Sequence, residues 1–237
     1  MDKWILSKLN STVKKVDNLL ENYKITESTR VLESFVDELS NWYVRRCRER
    51  FWVKGMPEDK VNAYMTLYTC LVTVAKLAAP HVPFMTEEIY RNLVCSVDKT
   101  APESIHLCSY PVCDESFIDE ALEENMEEVV DVVVLGRACR NAAAIKNRQP
   151  VARMFVKADK TPDESFIAVI REELNVKAVE FTDNVSEFTT YNFKPQLRTV
   201  GPKYGKYLGG IRAALQNLDG NAAYAELEAN GAIHLDI

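Results

Sequence analysis

A mainly α fold, an antiparallel helical bundle followed by a small α/β domain, is what this sequence predicts. Three observations carry that expectation. Glycine (8) and proline (9) are scarce among 237 residues, which disfavours an all-β chain needing a turn every ten residues. Apolar residues recur at helical spacing through about the first 145 positions. Beyond residue 150 the pattern changes to short β-branched and aromatic runs around one strong helix start. With 47% hydrophobic and 27% charged residues the chain has the composition of a folded protein rather than a disordered one.

Taken in order, Ile5, Leu9, Val13, Val16, Leu20 and Tyr23 form one amphipathic stripe, predicting a helix over residues 2–22. Leu32, Phe35, Val36, Leu39, Trp42 and Tyr43 predict a long second helix, with Thr26 and Thr29 as N-cap candidates and Gly55 and Pro57 closing it. Val61, Met65, Tyr68, Val72 and Ala75 give a third helix, stopped by Pro80. The Pro80-His81-Val82-Pro83 break leads to a fourth over residues 84–95. Short connections between four helices favour antiparallel neighbours. After a loop holding Pro102 and Pro111, a fifth helix is expected from about Phe117 to Ile145, its first half acidic and solvent-facing. Residues 153–158 and 176–181 read as strands. The Thr161-Pro162-Asp163-Glu164 helix start lies between them, so a small β-α-β unit is expected. Thr189, Tyr191 and Phe193 alternate as a further strand, and Pro202 opens a helix to about Leu215. Ile233, Leu235 and Ile237 alternate up to the last residue, as in a piece of something longer. The domain division read from this pattern is 1–150 and 151–237.

Composition also narrows the function. The longest uncharged stretch, residues 61–75, is shorter than the 18 apolar residues of a membrane span, and residues 1–4 do not resemble a secretory signal. No membrane partner and a cytoplasmic location are expected. Six cysteines without a C-x-x-C pair read as reduced thiols. His106, Cys108 and Cys113 could give three metal ligands but lack a second pair at zinc spacing, and no metal site is expected. The net charge of −6 is uneven: residues 114–131 hold nine acids and no base. Three basic segments, 45–54, 137–160 and 194–212, alternate with acidic ones. Such patches permit nucleic-acid binding on an acidic protein, because affinity follows the phosphates neutralised at the contact. They are also compatible with ordinary solvated faces.

On a helical wheel Arg46 and Arg50 continue the stripe of Leu39, Trp42 and Tyr43, while Arg45 and Arg48 fall on a more exposed neighbouring face. Arginines that extend an apolar stripe either pair with carboxylates such as Glu87 and Glu88 or wall a groove for phosphates and unstacked bases. Burial favours the ion pair. Trp52 and Lys54 pull the other way, since interleaved aromatic and basic residues suit single-stranded RNA.

These residues resemble a known family. The string NWYVRRCRERFW (41–52) is similar to the signature of the anticodon-binding region of isoleucyl-tRNA synthetases, in the branch shared by archaeal, eukaryotic and some bacterial enzymes. The opening DKWILSKLNSTVKKV resembles the first bundle helix after the catalytic core. LAAPHVPFMTEEIYRNL, SIHLCSYP, LGRACRNAAAIKNRQP, ELNVKAVEF and KPQLRTVGPKYGK resemble, in order, the rest of that region. The resemblance implies a class I synthetase anticodon-binding bundle, with tRNA, specifically tRNA(Ile), held by its anticodon arm, and the remainder of the synthetase as a covalent partner. On this reading Arg45, Arg48 and Lys54 contact phosphates and Trp42 or Trp52 offers a stacking face, with Tyr43, Arg46 and Arg50 beside them. Arg137, Arg140, Lys146, Asn147, Arg148 and Gln149 form a second wall.

The family's H-I-G-H and K-M-S-K-S strings do not occur, nor does a Gly-rich phosphate loop or a catalytic triad pattern. The three histidines are His81, His106 and His234. No catalytic residue is therefore expected, and no cofactor; ATP and magnesium would belong to the parent enzyme. Two alternatives stay open: the equivalent domain of a valyl- or leucyl-tRNA synthetase, and a protein-interaction module whose acidic helix docks a partner.

Overall fold

The computed structural model describes residues 1–158, 160–182 and 190–235. It divides into two compact units, Met1–Asp131 and Val132–Ile237. Most of the described chain is helical, with one small parallel sheet.

In the first unit, α1 (Asp2–Glu21) buries Trp4, Ile5, Leu9, Val13 and Val16, the stripe its periodicity marks. It packs against α2 (Ile25–Glu38) and α4 (Glu58–Ala78). Val13, Val16, Leu32 and Leu77 meet in one core cluster. The expected long second helix is broken. After α2 the chain makes a π-helical stretch, Leu39–Val44, and restarts at α3 (Arg48–Trp52) after a turn at Cys47. A π turn re-phases the side chains that follow, a feature common near functional sites. Nor do Thr26 and Thr29 cap α2. It starts at Ile25, and the Thr29 hydroxyl donates back to the Ile25 carbonyl at 3.0 Å.

Helix α5 (Pro83–Tyr90), with proline in its first turn, runs into a second π-helical stretch, Arg91–Cys95. Ala75, Ala79, Tyr90, Val94 and Ile105 form the core cluster there. The Glu87 carboxylate accepts from the Ile105 amide and the Ser104 hydroxyl, both at 2.9 Å, and these bonds hold its pKa below the usual carboxylate range. Over an 18-residue window α4 has a mean hydropathy of 1.2, so length and composition alone would let it cross a membrane. This corrects the expectation drawn from the uncharged run, which ended at Lys76; a window average tolerates that one charge. Its Ala63, Thr66, Cys70, Ala75 and Leu77 are buried. Burial pushes the Cys70 thiol up to about 12.

Helix α6 (Glu120–Ala142) follows a 3₁₀ turn at Glu115–Phe117 and starts in the first unit and ends in the second. Part of the acidic stretch is internally engaged: Ser7 and Ser11 of α1 both donate to Glu123 of α6, and Lys14 pairs with Glu115 of the 3₁₀ turn at 2.7 Å.

In the second unit, β1 (Val151–Val156) and β2 (Val176–Phe181) pair in parallel, with Val151 opposite Val176 and Phe155 opposite Glu180. Helix α7 (Glu164–Leu174) crosses between them. This is the expected β-α-β unit, with β1 beginning two residues early and α7 two residues after Pro162. Asn175 ends α7 with φ of 49°, a left-handed conformation that Asn tolerates well. Gly136 of α6 has no room for a side chain, because a Cβ would overlap Leu174.

The C-terminal region departs most from expectation. Tyr191 and Phe193 lie in no strand, and Thr189 is outside the described residues. Helix α8 (Leu197–Tyr204) contains Pro202 instead of starting there. It leads through a 3₁₀ turn, Gly205–Tyr207, to α9 (Leu208–Asn217). Ile233 and Leu235 are not in a strand, and Ile237 is outside the described residues. An unexpected helix, α10 (Gly220–Asn230), precedes them, capped by the Asp219 carboxylate and ended by Gly231 at φ of 70°. A Cβ on Gly220 would overlap the Tyr191 carbonyl, while the Tyr191 and Tyr224 rings stack at 3.9 Å.

Candidate nucleic-acid interface

The residues singled out around Trp42–Trp52 separate into a buried set and a displayed set. Tyr43 is 0% exposed and Trp42 7%, so both belong to the core and neither offers an open ring face; this corrects their assignment to the RNA surface. The π turn that carries them aims both rings inward. Tyr43 donates its hydroxyl to Asp2 Oδ1 at 2.9 Å, and burial pushes its pKa well above the ordinary tyrosine value.

Arg50 is also structural. Its guanidinium grips Asp2 through Nη1 at 2.6 Å and Nη2 at 2.8 Å, and Asp59 through Nε and Nη2, each at 2.8 Å. One side chain thereby ties α3 to the first residue of α1 and to the start of α4. The wheel's ion-pair reading holds, but the partners are Asp2 and Asp59 rather than Glu87 and Glu88, because the break at Cys47 redirects α3. The Arg50 guanidinium holds the Asp2 carboxyl below the usual carboxylate range. Arg46 is half-buried.

The displayed set is Arg45, Arg48, Trp52 and Lys54. Trp52 is 75% exposed, and the Arg48 guanidinium lies 5.3 Å from its ring centroid. Arg45 donates Nε to the Asn41 carbonyl at 2.7 Å and sits 5.9 Å from the Trp42 ring. Sequence reasoning passed over Lys60 and Tyr64. Lys60 Nζ donates to the Val53 carbonyl at 2.8 Å and approaches the Tyr64 ring, which meets Phe51 edge-on at 5.1 Å. Their i, i+4 spacing of a base and an aromatic at the start of α4 was the available signal.

In the second unit Arg140 is 6% exposed and also leaves the proposed wall. It donates to the Leu174 carbonyl through Nε at 3.1 Å and Nη2 at 2.7 Å, and to Gln149 O at 2.7 Å, stapling the 143–149 loop to the end of α7. Arg137 pairs with the buried Glu173 at 2.7 Å. Asn175 reinforces the loop by donating to the Arg148 carbonyl at 3.0 Å. The effect is to display Lys146, Asn147, Arg148 and Gln149, all exposed, on a fixed backbone. Among the described residues no group of three or more His, Cys, Asp or Glu side chains is arranged to hold a metal ion.

Residues 2–156 match the family model described as the anticodon-binding domain of tRNA ligase. The chain belongs to this anticodon-binding domain family. It is 52% identical over 219 residues to the isoleucine–tRNA ligase of Clostridium novyi, covering 92% of this chain and 21% of that protein. Against the Clostridium acetobutylicum enzyme of the same name the identity is 46% over 237 residues, covering all of this chain and 23% of the other. An isoleucine–tRNA ligase 2 of Bacillus cereus is 42% identical over 221 residues, or 92% of this chain and 21% of that enzyme. The chain thus spans about a fifth of the length of these relatives. Within the anticodon-binding domain, the match runs from α1 through the displayed Arg48–Trp52 pair and the Arg140 staple to the end of β1.

Proposed function

We propose that this anticodon-binding domain holds the anticodon arm of tRNA(Ile) as the recognition part of an isoleucine-tRNA ligase. The observation that carries the reading is the Arg48–Trp52 pair, an exposed indole with a guanidinium against it, flanked by the exposed Arg45 and Lys54. Arg45, Arg48 and Lys54 neutralise phosphates, and Trp52 stacks an unpaired loop base. Lys146, Asn147, Arg148 and Gln149, on the loop fixed by Arg140 in the second unit, add further contacts to the RNA. The helices of the first unit act as an antiparallel bundle, and the functional division falls at about residue 150, where the β-α-β unit begins. Isoleucine ligation with ATP and magnesium belongs to the longer cytoplasmic enzyme, in the portion beyond this chain, and no step through them involves the residues described above.

Fluorescence titration against tRNA(Ile) and an anticodon-swapped version, at low and at physiological salt, tests the reading. Tighter binding to the native anticodon is expected. Equal binding to both, lost at moderate salt, would refute anticodon recognition by this chain.

A further inference from the structure

The segment 194–212 carries Lys194, Arg198, Lys203, Lys206 and Arg212 and no acid. Neither α8 nor α9 has a buried residue, and all five cations are exposed. Among the described residues none of them makes an ion pair, unlike Arg50 and Arg137, which the fold uses internally. Tyr204 and Tyr207, at 55% and 63% exposure, stand among them. The apolar side chains of α9 (Leu208, Ile211, Ala214 and Leu215) are half-buried, whereas Lys203, Tyr204, Lys206, Tyr207 and Arg212 face solvent. Gly201 and Gly205 leave open space beside the backbone between the cations.

Exposed bases this dense along the chain, with no ion pair among the described residues, make a local positive charge that a polyanion would neutralise. Exposed tyrosines interleaved with bases suit a nucleic acid, whose ribose and base faces offer flat surfaces between phosphates. A lipid surface fits less well, because membrane-binding helices present a continuous free apolar face, whereas here Leu197 is exposed and Val200, Leu208, Ile211 and Leu215 are half-buried.

We propose that α8, the 3₁₀ turn and α9 of the second unit form an RNA-binding surface in addition to the Arg48–Trp52 pair of the first. In it Arg198, Lys203, Lys206 and Arg212 pair with backbone phosphates and Tyr204 and Tyr207 lie against riboses or unpaired bases. This rests on the RNA-binding reading above and adds a second set of residues to it. The surface is sequence-tolerant and strengthens the grip on the same RNA.

The test compares three chains in titrations with a tRNA(Ile) transcript over a salt series: the unaltered chain, R198A/K203A/K206A, and R45A/R48A/K54A. Alanine is the best helix former, so circular dichroism should show unchanged helix content. The α8 triple variant should bind about tenfold or more weakly, and its log K against log[salt] slope should fall by roughly one for each phosphate it no longer neutralises. K203R/K206R, which keeps both charges, should keep the slope of the unaltered chain. An unchanged slope in the α8 variant, with binding abolished in the Arg45 variant, overturns the second surface and leaves the proposed function standing. Failure of the unaltered chain to bind RNA overturns both. Retained RNA binding together with abolished binding to phosphatidylserine vesicles would assign the segment to a membrane surface and overturn the proposal.

Discussion

Arg140→Met separates a structural arginine from an RNA-binding one. The substitution keeps most of the side-chain volume and removes the guanidinium. It leaves the Leu174 and Gln149 carbonyls without the donors that reach them at 2.7 Å. Hydrogen bonds from a charged donor contribute about 1.5–3 kcal/mol each. Removing two such bonds, partly offset by no longer burying a cation, amounts to about 3 kcal/mol. For a unit of this size that corresponds to a fall of more than about 10 °C in melting temperature. Calorimetry reads the transition, and hydrogen exchange at the Val151 amide, which donates to Asn175 O at 3.0 Å, reports the second unit directly. RNA affinity should fall through the disordered 143–149 loop, in step with the stability loss. A variant that melts where the unaltered chain does and keeps Val151 protected, yet loses RNA affinity, would refute the staple and return Arg140 to the RNA surface.

Other expectations follow from the same geometry. Trp52→Ala should weaken RNA binding by about 1–3 kcal/mol in a fluorescence titration and leave the melting temperature unchanged. Trp42→Ala should cost about 3–5 kcal/mol of stability by removing a buried ring, seen in denaturant melts. Asp2→Asn should destabilise at neutral pH. Because Arg50 lowers the Asp2 pKa, that stabilisation is present above the unfolded value of 3.8 and is lost as pH falls through the lower folded value, so the two melting curves should converge in acid. Burial raises the Glu38 pKa despite Lys8 at 3.5 Å, with Glu123 and Glu127 adding to the effect. Its charge therefore opposes folding once pH rises through the folded pKa, and Glu38→Gln should melt higher at neutral pH with the gain shrinking toward acid.

What the sequence showed of this fold depended on whether periodicity was present. The α1 stripe and the β2 bounds were readable because apolar spacing marks a buried face directly. The break at Cys47 was not, since a π turn changes the phase of a stripe without adding a glycine or proline to announce it. Helix α10 was missed for the opposite reason. AAYAELEAN has strong helix propensity but little apolar periodicity, and Asp219 with Gly231 supplied the start and stop signals that were overlooked. At the candidate site the wheel placed Arg45 and Arg48 outward and Arg46 and Arg50 inward, and the structure agrees. It could not name the partners of Arg50, because Asp2 and Asp59 come from other helices and no local pattern encodes that meeting.

The division between inward and outward arginines bears on how an acidic chain can serve a polyanionic partner. A guanidinium on a mobile surface side chain pays a conformational cost for each phosphate it meets. On the RNA-binding reading proposed above, that cost is reduced by using some arginines as fasteners for others. Arg50, gripping two carboxylates, fixes the short α3 that displays Arg48 and Trp52. Arg140 fixes the loop that displays Lys146 and Arg148 by donating to four backbone carbonyls, those of Lys146, Gln149, Leu174 and Asn175. In both places a buried or half-buried arginine on the same stretch of chain sets the backbone from which the exposed bases project. Net charge is then a poor guide to this domain's partners. The acids are partly consumed in holding α1, α3 and α6 in place, and the positive charge left over is concentrated where the backbone is rigid.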